Sequence, residues 1–214
     1  MKKLSVKKLV LMAMLAAVAY MIVALVRIPV VLFLKYEPKD VVITIGGFLL
    51  GPMASFIISL VVSLIEMVSI SETGPIGCIM NLLSTCSFAC VAAFIYKRNH
   101  TLKGAMMGLA AGSVFMVFIM LLWNWLITPL YMGVERSAVE GLLIPAFLPF
   151  NLLKAGLNSA LTLGLYKPLV TALRKTGLVE TGTKTGTSKT GIYLFSAGLL
   201  ITCILMLLVF QGKL

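Results

Sequence analysis

The sequence predicts an all-α, polytopic membrane protein, with a six-helix transmembrane bundle followed by a seventh C-terminal transmembrane segment. Three observations carry this. Hydrophobic residues make up 60% of the 214, and charged residues only 12%, about half the share of an average soluble domain. Several apolar runs approach or exceed the ~20 residues needed to cross a ~30 Å hydrocarbon core. Alternation of period two, which a membrane β-barrel requires, is absent. The net charge of +11 would suggest a nucleic-acid partner in a soluble chain. No RNA-binding motif accompanies it, and in a membrane protein positive charge reports topology instead.

The apolar runs cover 9–34, 41–70, 76–96, 104–131, 142–170 and 192–210. The first resembles a signal peptide after its lysines, but it is too long for an h-region and reads as the first span. The second is too long for one span and too short for two, and Gly46, Gly47, Gly51 and Pro52 sit in its middle. Charge decides between the readings. With two segments and a cytoplasmic N-terminus, twelve positive residues fall inside and five outside; with one span, six fall inside and eleven outside. The split is therefore preferred. It makes a hairpin around Gly51-Pro52, whose first arm of about ten apolar residues must be shielded by protein or border a cavity. This reading places Arg27, Lys35, Glu37, Lys39, Asp40 and Glu72 in outer loops. The chain divides into a six-helix domain over 1–175, a Thr/Gly/Lys-rich linker over 176–191 and the extra segment over 192–214.

Polar residues at membrane depth are costly and usually functional. Asn151, Lys154 and Asn158 share one stripe at spacing i, i+3, i+7, and Pro149 can open their helix. Lys154 either snorkels to the outer interface or meets a ligand; Asn158 fits a helix–helix hydrogen bond. Asn124, between Trp123 and Trp125, is either part of an interfacial aromatic belt or a site residue, with Pro129 closing its segment. Asn81 is either a helix-packing group or a ligand contact. Glu66 is either solvated near the interface or part of the site. Asn81, Asn124, Lys154 and Glu66 all come out near the outer face, which suggests an outward-facing pocket of amides and one cation. Such groups suit a flat, neutral or weakly anionic heterocycle whose edge alternates carbonyl and N–H.

Catalytic and metal sets do not assemble. His100 is the only histidine and lies in a basic loop, and no H-E-x-x-H, G-x-S-x-G or Walker motif occurs. Cys78, Cys86, Cys90 and Cys203 lie in apolar runs and read as packing residues.

The stretches KYEPKDVVITIGGFLLGP (35–52), ETGPIGCIMNLLS (72–84), WNWLITPLY (123–131) and PAFLPFNLLKAGLNSALTLGLYKPL (145–169) together resemble the substrate-binding S components of energy-coupling factor (ECF) transporters, of the riboflavin-specific type. The resemblance implies a six-helix bundle with a riboflavin pocket near the outer face, covered by the 28–40 loop. It implies that Asn124, Asn151 and Lys154 bind the polar edge of the isoalloxazine ring, with Asn81 less directly implicated. It implies a bacterial plasma-membrane subunit with no ATPase or resident cofactor of its own, which works with a transmembrane coupling subunit and two ATPases. Ala13 and Ala17 form an A-x-x-x-A pair. That pair either packs within the bundle or, as the resemblance implies, docks the coupling subunit. Two other classes stay open: an ion-coupled secondary transporter for a small heterocycle, with Glu66 as its carboxylate, and an intramembrane enzyme on lipids.

Overall fold

The structure, a computed structural model, describes residues 5–175 and 189–212. The linker expected over 176–191 falls almost wholly outside these residues. The chain runs α1 (Val6–Leu25), β1 (Ile28–Val31), β2 (Leu34–Tyr36), α2 (Lys39–Leu50), α3 (Pro52–Ser69), α4 (Gly74–Arg98), α5 (Leu102–Met132), α6 (Arg136–Leu142), a π-helical turn (Leu143–Phe147), α7 (Leu148–Lys175) and α8 (Lys189–Phe210). The all-α bundle agrees with the predicted class. Helices α1, α3, α4, α5, α6 continued into α7, and α8 are long and apolar enough to cross a membrane.

The hairpin expected at Gly51-Pro52 is present. Gly51 has φ +99°, a backbone conformation open to glycine, and Pro52 starts α3, where a missing N–H leaves nothing unsatisfied. The short arm, α2, packs against α1, α3, α4 and α7. Every residue from Lys39 to Phe48 is buried, so its polar backbone meets protein and not lipid. Gly47 permits this fit, since a Cβ there would lie 2.0 Å from Ser55 Oγ and 2.8 Å from Ala93 Cβ.

Helices α4 and α5 form the most extensive pairing. Gly104, Gly108 and Gly112 recur every fourth residue on α5. Cβ atoms on Gly108 and Gly112 would approach the carbonyl oxygens of Ala92 and Phe88 to 2.6 and 2.5 Å. These glycines let two backbones meet closely, the device that replaces the hydrophobic effect between helices in lipid.

Three local expectations are corrected. The segment expected as a loop over 28–40 carries regular structure: β1 and β2 form an antiparallel hairpin pairing Ile28 with Tyr36 and Val31 with Leu34, and α2 starts at Lys39. Its tip carries Leu32 at φ +52°, a strained position for a branched side chain. Pro149 does not open the sixth segment. That segment starts at Arg136 and passes through the π turn. Pro145 and Pro149 each lack an N–H, and the turn absorbs the mismatch with an i→i−5 bond from Leu148 N to Leu143 O. Finally, Pro129 lies inside α5, which ends three residues later at Met132 and is capped by Gly133 in the left-handed conformation.

Helix α8 packs along α7. Ser196 Oγ donates to the Ala160 carbonyl at 2.6 Å, and Cys203 lies over Gly156. Its far end joins the apolar cluster under the β-hairpin, and Gln211 Nε2 donates to the Pro29 carbonyl at 3.0 Å.

Candidate functional site

A cavity opens at the end of the bundle that carries the β-hairpin. Phe33, Leu34, Lys35 and Glu37 of the hairpin segment form one wall, the α3–α4 loop gives Ser71, Glu72 and Thr73, and α4, α5 and α7 supply the floor. The cavity encloses and fronts about 740 Å³ of empty space, part of it open solvent. Met80, Met120, Phe33 and Phe150 are its apolar walls, while Asn81, Ser84, Asn124, Asn151 and Lys154 are polar groups among them. An apolar annex beside it is lined by Trp123, Ile127 and Tyr131.

Four of the five sequence-predicted binding residues thus line one cavity. Asn151 is 1% exposed. One of its amide N–H groups donates to the Phe147 carbonyl one turn back, at 2.8 Å. Among the described residues its Oδ1 and second N–H make no hydrogen bond, which leaves them to serve a ligand. Asn124 is oriented by its own helix: it donates to the Met120 carbonyl at 2.7 Å and accepts from Thr128 Oγ1 at 2.9 Å. Its amide faces inward and is not part of an exposed aromatic belt. Asn81 donates to Glu66 Oε2 at 3.1 Å.

Glu66 departs from the expected arrangement. It does not line the cavity. Its carboxylate lies behind Asn81 and is held by the ammonium of Lys39. Lys39 also sits 2.8 Å from Glu37 Oε2, and Glu37 Oε1 is 3.2 Å from Arg27 Nε. Arg27 donates through its other arm to the Ile70 carbonyl at 2.8 Å. This network runs from Arg27 and Glu37 in the cavity wall to Lys39 and Glu66 behind it, and ties together α1, α2, α3 and α4.

Lys154 does not snorkel. It is buried, donates to Ser84 Oγ at 3.1 Å, and lies 3.2 Å from Asp40 Oδ2. Asp40 is fully buried and further accepts from Thr85 Oγ1 at 2.7 Å and Asn158 Nδ2 at 3.2 Å. Asn158 therefore bridges α7 to α2, the helix–helix role expected of it, and also accepts from Tyr36 OH at 3.0 Å. Tyr36 has its pKa raised, first by burial and then by the nearby Asp40 carboxylate, which keeps the phenol a donor. At the mouth, Lys35 of β2 meets both carboxylate oxygens of Glu72 at 2.8 Å. That contact joins the hairpin to the α3–α4 loop.

Sequence reasoning missed Lys39 and Asp40, placing both in an outer loop. A signal existed. Glu66 and Lys154 are isolated charges inside apolar segments, and such charges need opposite partners. The adjacent Lys39-Asp40 pair, just after Pro38, offers one of each sign.

The sequence profile described as "ECF transporter, substrate-specific component" matches residues 7–166 of the chain. The chain belongs to this family. The match covers α1 through most of α7 and stops short of α8. A solved S component of a bacterial ECF transporter superposes at TM-score 0.66 with 27% identity, covering 78% of this chain and 98% of that one. The riboflavin transporter RibU of Staphylococcus aureus (strain TCH60) is 26% identical over 79% of this chain and 93% of its own length. The riboflavin transporter FmnP of Bacillus subtilis (strain 168) is 28% identical over 71% of this chain and 85% of its own. The protein is thus a multi-pass membrane protein of a transport family, and its cavity lies where four predicted polar residues converge.

Proposed function

We propose that this protein is the riboflavin-binding S component of an ECF-type, ATP-driven importer. The observation that carries the reading is Asn151: a buried amide with an unpaired acceptor and an unpaired donor, one turn from Lys154, in a cavity walled by Phe33, Phe150, Met80 and Met120. A flat ring whose edge alternates C=O and N–H matches that pair, and apolar walls accept its faces. Two of the three Lys154 N–H groups are taken by Ser84 and Asp40, and the third is left for a ligand carbonyl or ring nitrogen. The two relatives named as riboflavin transporters support the same ligand. Riboflavin is cargo here, and the proposal includes no resident cofactor.

In this reading the N-terminus is cytoplasmic in a bacterial plasma membrane, and riboflavin enters beneath the hairpin. Transport energy comes from a transmembrane coupling subunit and two ATPases. Ala13 and Ala17 face outward on α1, where small side chains allow another helix to approach closely. Pairing of Glu66 with Lys39 weighs against the ion-coupled alternative, whose carboxylate it would have been. The test is fluorescence-quenching titration of the detergent-purified protein with riboflavin, with the absorption spectrum of the protein as isolated. Saturable quenching is expected; a colourless protein that neither quenches riboflavin nor is thermally stabilised by it refutes the ligand. Ala13→Trp and Ala17→Trp are expected to abolish ATP-driven uptake while riboflavin titrates as before.

A further inference from the structure

Among the described residues, every cation that lines the cavity has a carboxylate partner. Lys154 has Asp40, Arg27 has Glu37, and Lys35 has Glu72. Behind the wall, Lys39 has Glu66. Four positive charges thus stand against four negative ones, and a ligand meets no uncompensated cation. The pair at the floor matters most, because Lys154 and Asp40 are both buried, where charge is least screened. Asp40 does not line the cavity. It is held by Thr85 from α4 and Asn158 from α7, so its position does not depend on Lys154 alone.

We propose that Asp40 determines the specificity of this site, acting through Lys154: it cancels the lysine's charge, so that the cavity takes an uncharged heterocycle and refuses its phosphate ester. The inference rests on the riboflavin reading and deepens it. A phosphate monoester carries close to two negative charges at neutral pH, and burying them without a matching cation is heavily penalised. An unpaired buried lysine would supply such a cation. Asp40 leaves the lysine a donor to a neutral ligand while removing its net attraction for an anion.

The experiment compares riboflavin with riboflavin 5′-phosphate by quenching titration of the full chain in detergent. The wild type is expected to favour riboflavin by about tenfold or more. For Asp40→Asn, Coulomb's law at an effective dielectric of about 20 gives about tenfold per unit charge for groups about 10 Å apart. The preference is therefore expected to shrink by about tenfold or more, and Asp40→Glu is expected to restore it. A variant that merely loosens the fold weakens both ligands by the same factor, and that result overturns the proposal. So does a wild type that binds the two ligands within about twofold of each other, well under the tenfold of a 1.4 kcal/mol difference. If Asp40→Asn does not fold, Glu72→Gln releases the exposed Lys35 at the rim. It is expected to move the ratio in the same direction, by roughly twofold because solvent screens it. An unchanged ratio there counts against the proposal. A wild type that binds neither ligand refutes the riboflavin reading itself, and this inference with it.

Discussion

Replacing Asn151 with leucine removes a buried amide that lines the cavity with a free donor and acceptor, while keeping the branching of the side chain. Among the described residues the Asn151 side chain makes a single bond, to the Phe147 carbonyl of its own helix. Losing it costs about 1 kcal/mol, partly offset because leucine favours helix more than asparagine does. Stability without ligand should therefore change little. In the complex, two ligand groups lose their partners at a buried position of the site. An unsatisfied buried polar group costs about 1–3 kcal/mol, so the lower bound for two is about 2 kcal/mol, or roughly 30-fold in Kd. Quenching titration of riboflavin gives Kd, and thermal unfolding without ligand gives the control. A Kd within about threefold of wild type, where roughly 30-fold is expected, would refute the assignment of this amide to the ligand. A parallel loss of affinity and unliganded stability would make Asn151 a structural residue.

Three further outcomes follow from the same geometry. Gly112→Ala would place a Cβ 2.5 Å from the Phe88 carbonyl, whereas Gly198 has nothing within 4 Å. The first should lower stability by about 1–3 kcal/mol and Gly198→Ala should not, as read by the unfolding midpoint in detergent. Gly156→Ala would put a Cβ 2.6 Å from Cys203 Sγ. Helix α8 should shift, and maleimide labelling of Cys203, read by mass spectrometry, should rise above that of the buried wild-type thiol. The Lys35 ammonium holds Glu72 below the ordinary carboxylate value of 4.5, by its hydrogen bonds and then its charge. A lowered pKa means that the contact contributes fully above that value and is lost as pH falls through the depressed one. Riboflavin release should be constant from pH 8 to 6, accelerate roughly twofold below about pH 4.5, and stay flat in Glu72→Gln, the modest size reflecting an exposed pair.

Much of this architecture is legible because lipid leaves few options. Apolar length marks the spans, and the asymmetry of lysine and arginine split the 41–70 run where Gly51 does break the backbone. Asn124, Asn151 and Lys154 stand out because an amide or ammonium in an apolar segment needs a reason. Lys39 and Asp40 were hidden by the same logic turned round: charges next to Pro38 look like loop, and only the tertiary structure draws them inward as counter-charges. The glycine stripe on α5 was overlooked because glycine in an apolar run carries no charge or polarity to attract notice. The β-hairpin lacks the Asn-Gly or Asp-Gly turn that would announce it; Leu32 takes the left-handed conformation instead.

The enclosure of α2 bears on how the protein is made. Its 12 residues rise about 18 Å at 1.5 Å each, well short of a ~30 Å bilayer core. Alone, it would enter lipid with Lys39 and Asp40 at one end, Asp40 without Lys154, and open backbone at the other. Lys39 has Glu37 beside it, but Glu66 on α3 and the Asp40 partner Lys154 on α7 arrive only with later parts of the chain. Insertion of the second segment is therefore tied to that of the third, and its final seating to the sixth. Synthesis halted before residue 154 would leave Asp40 inside the bundle without its cation.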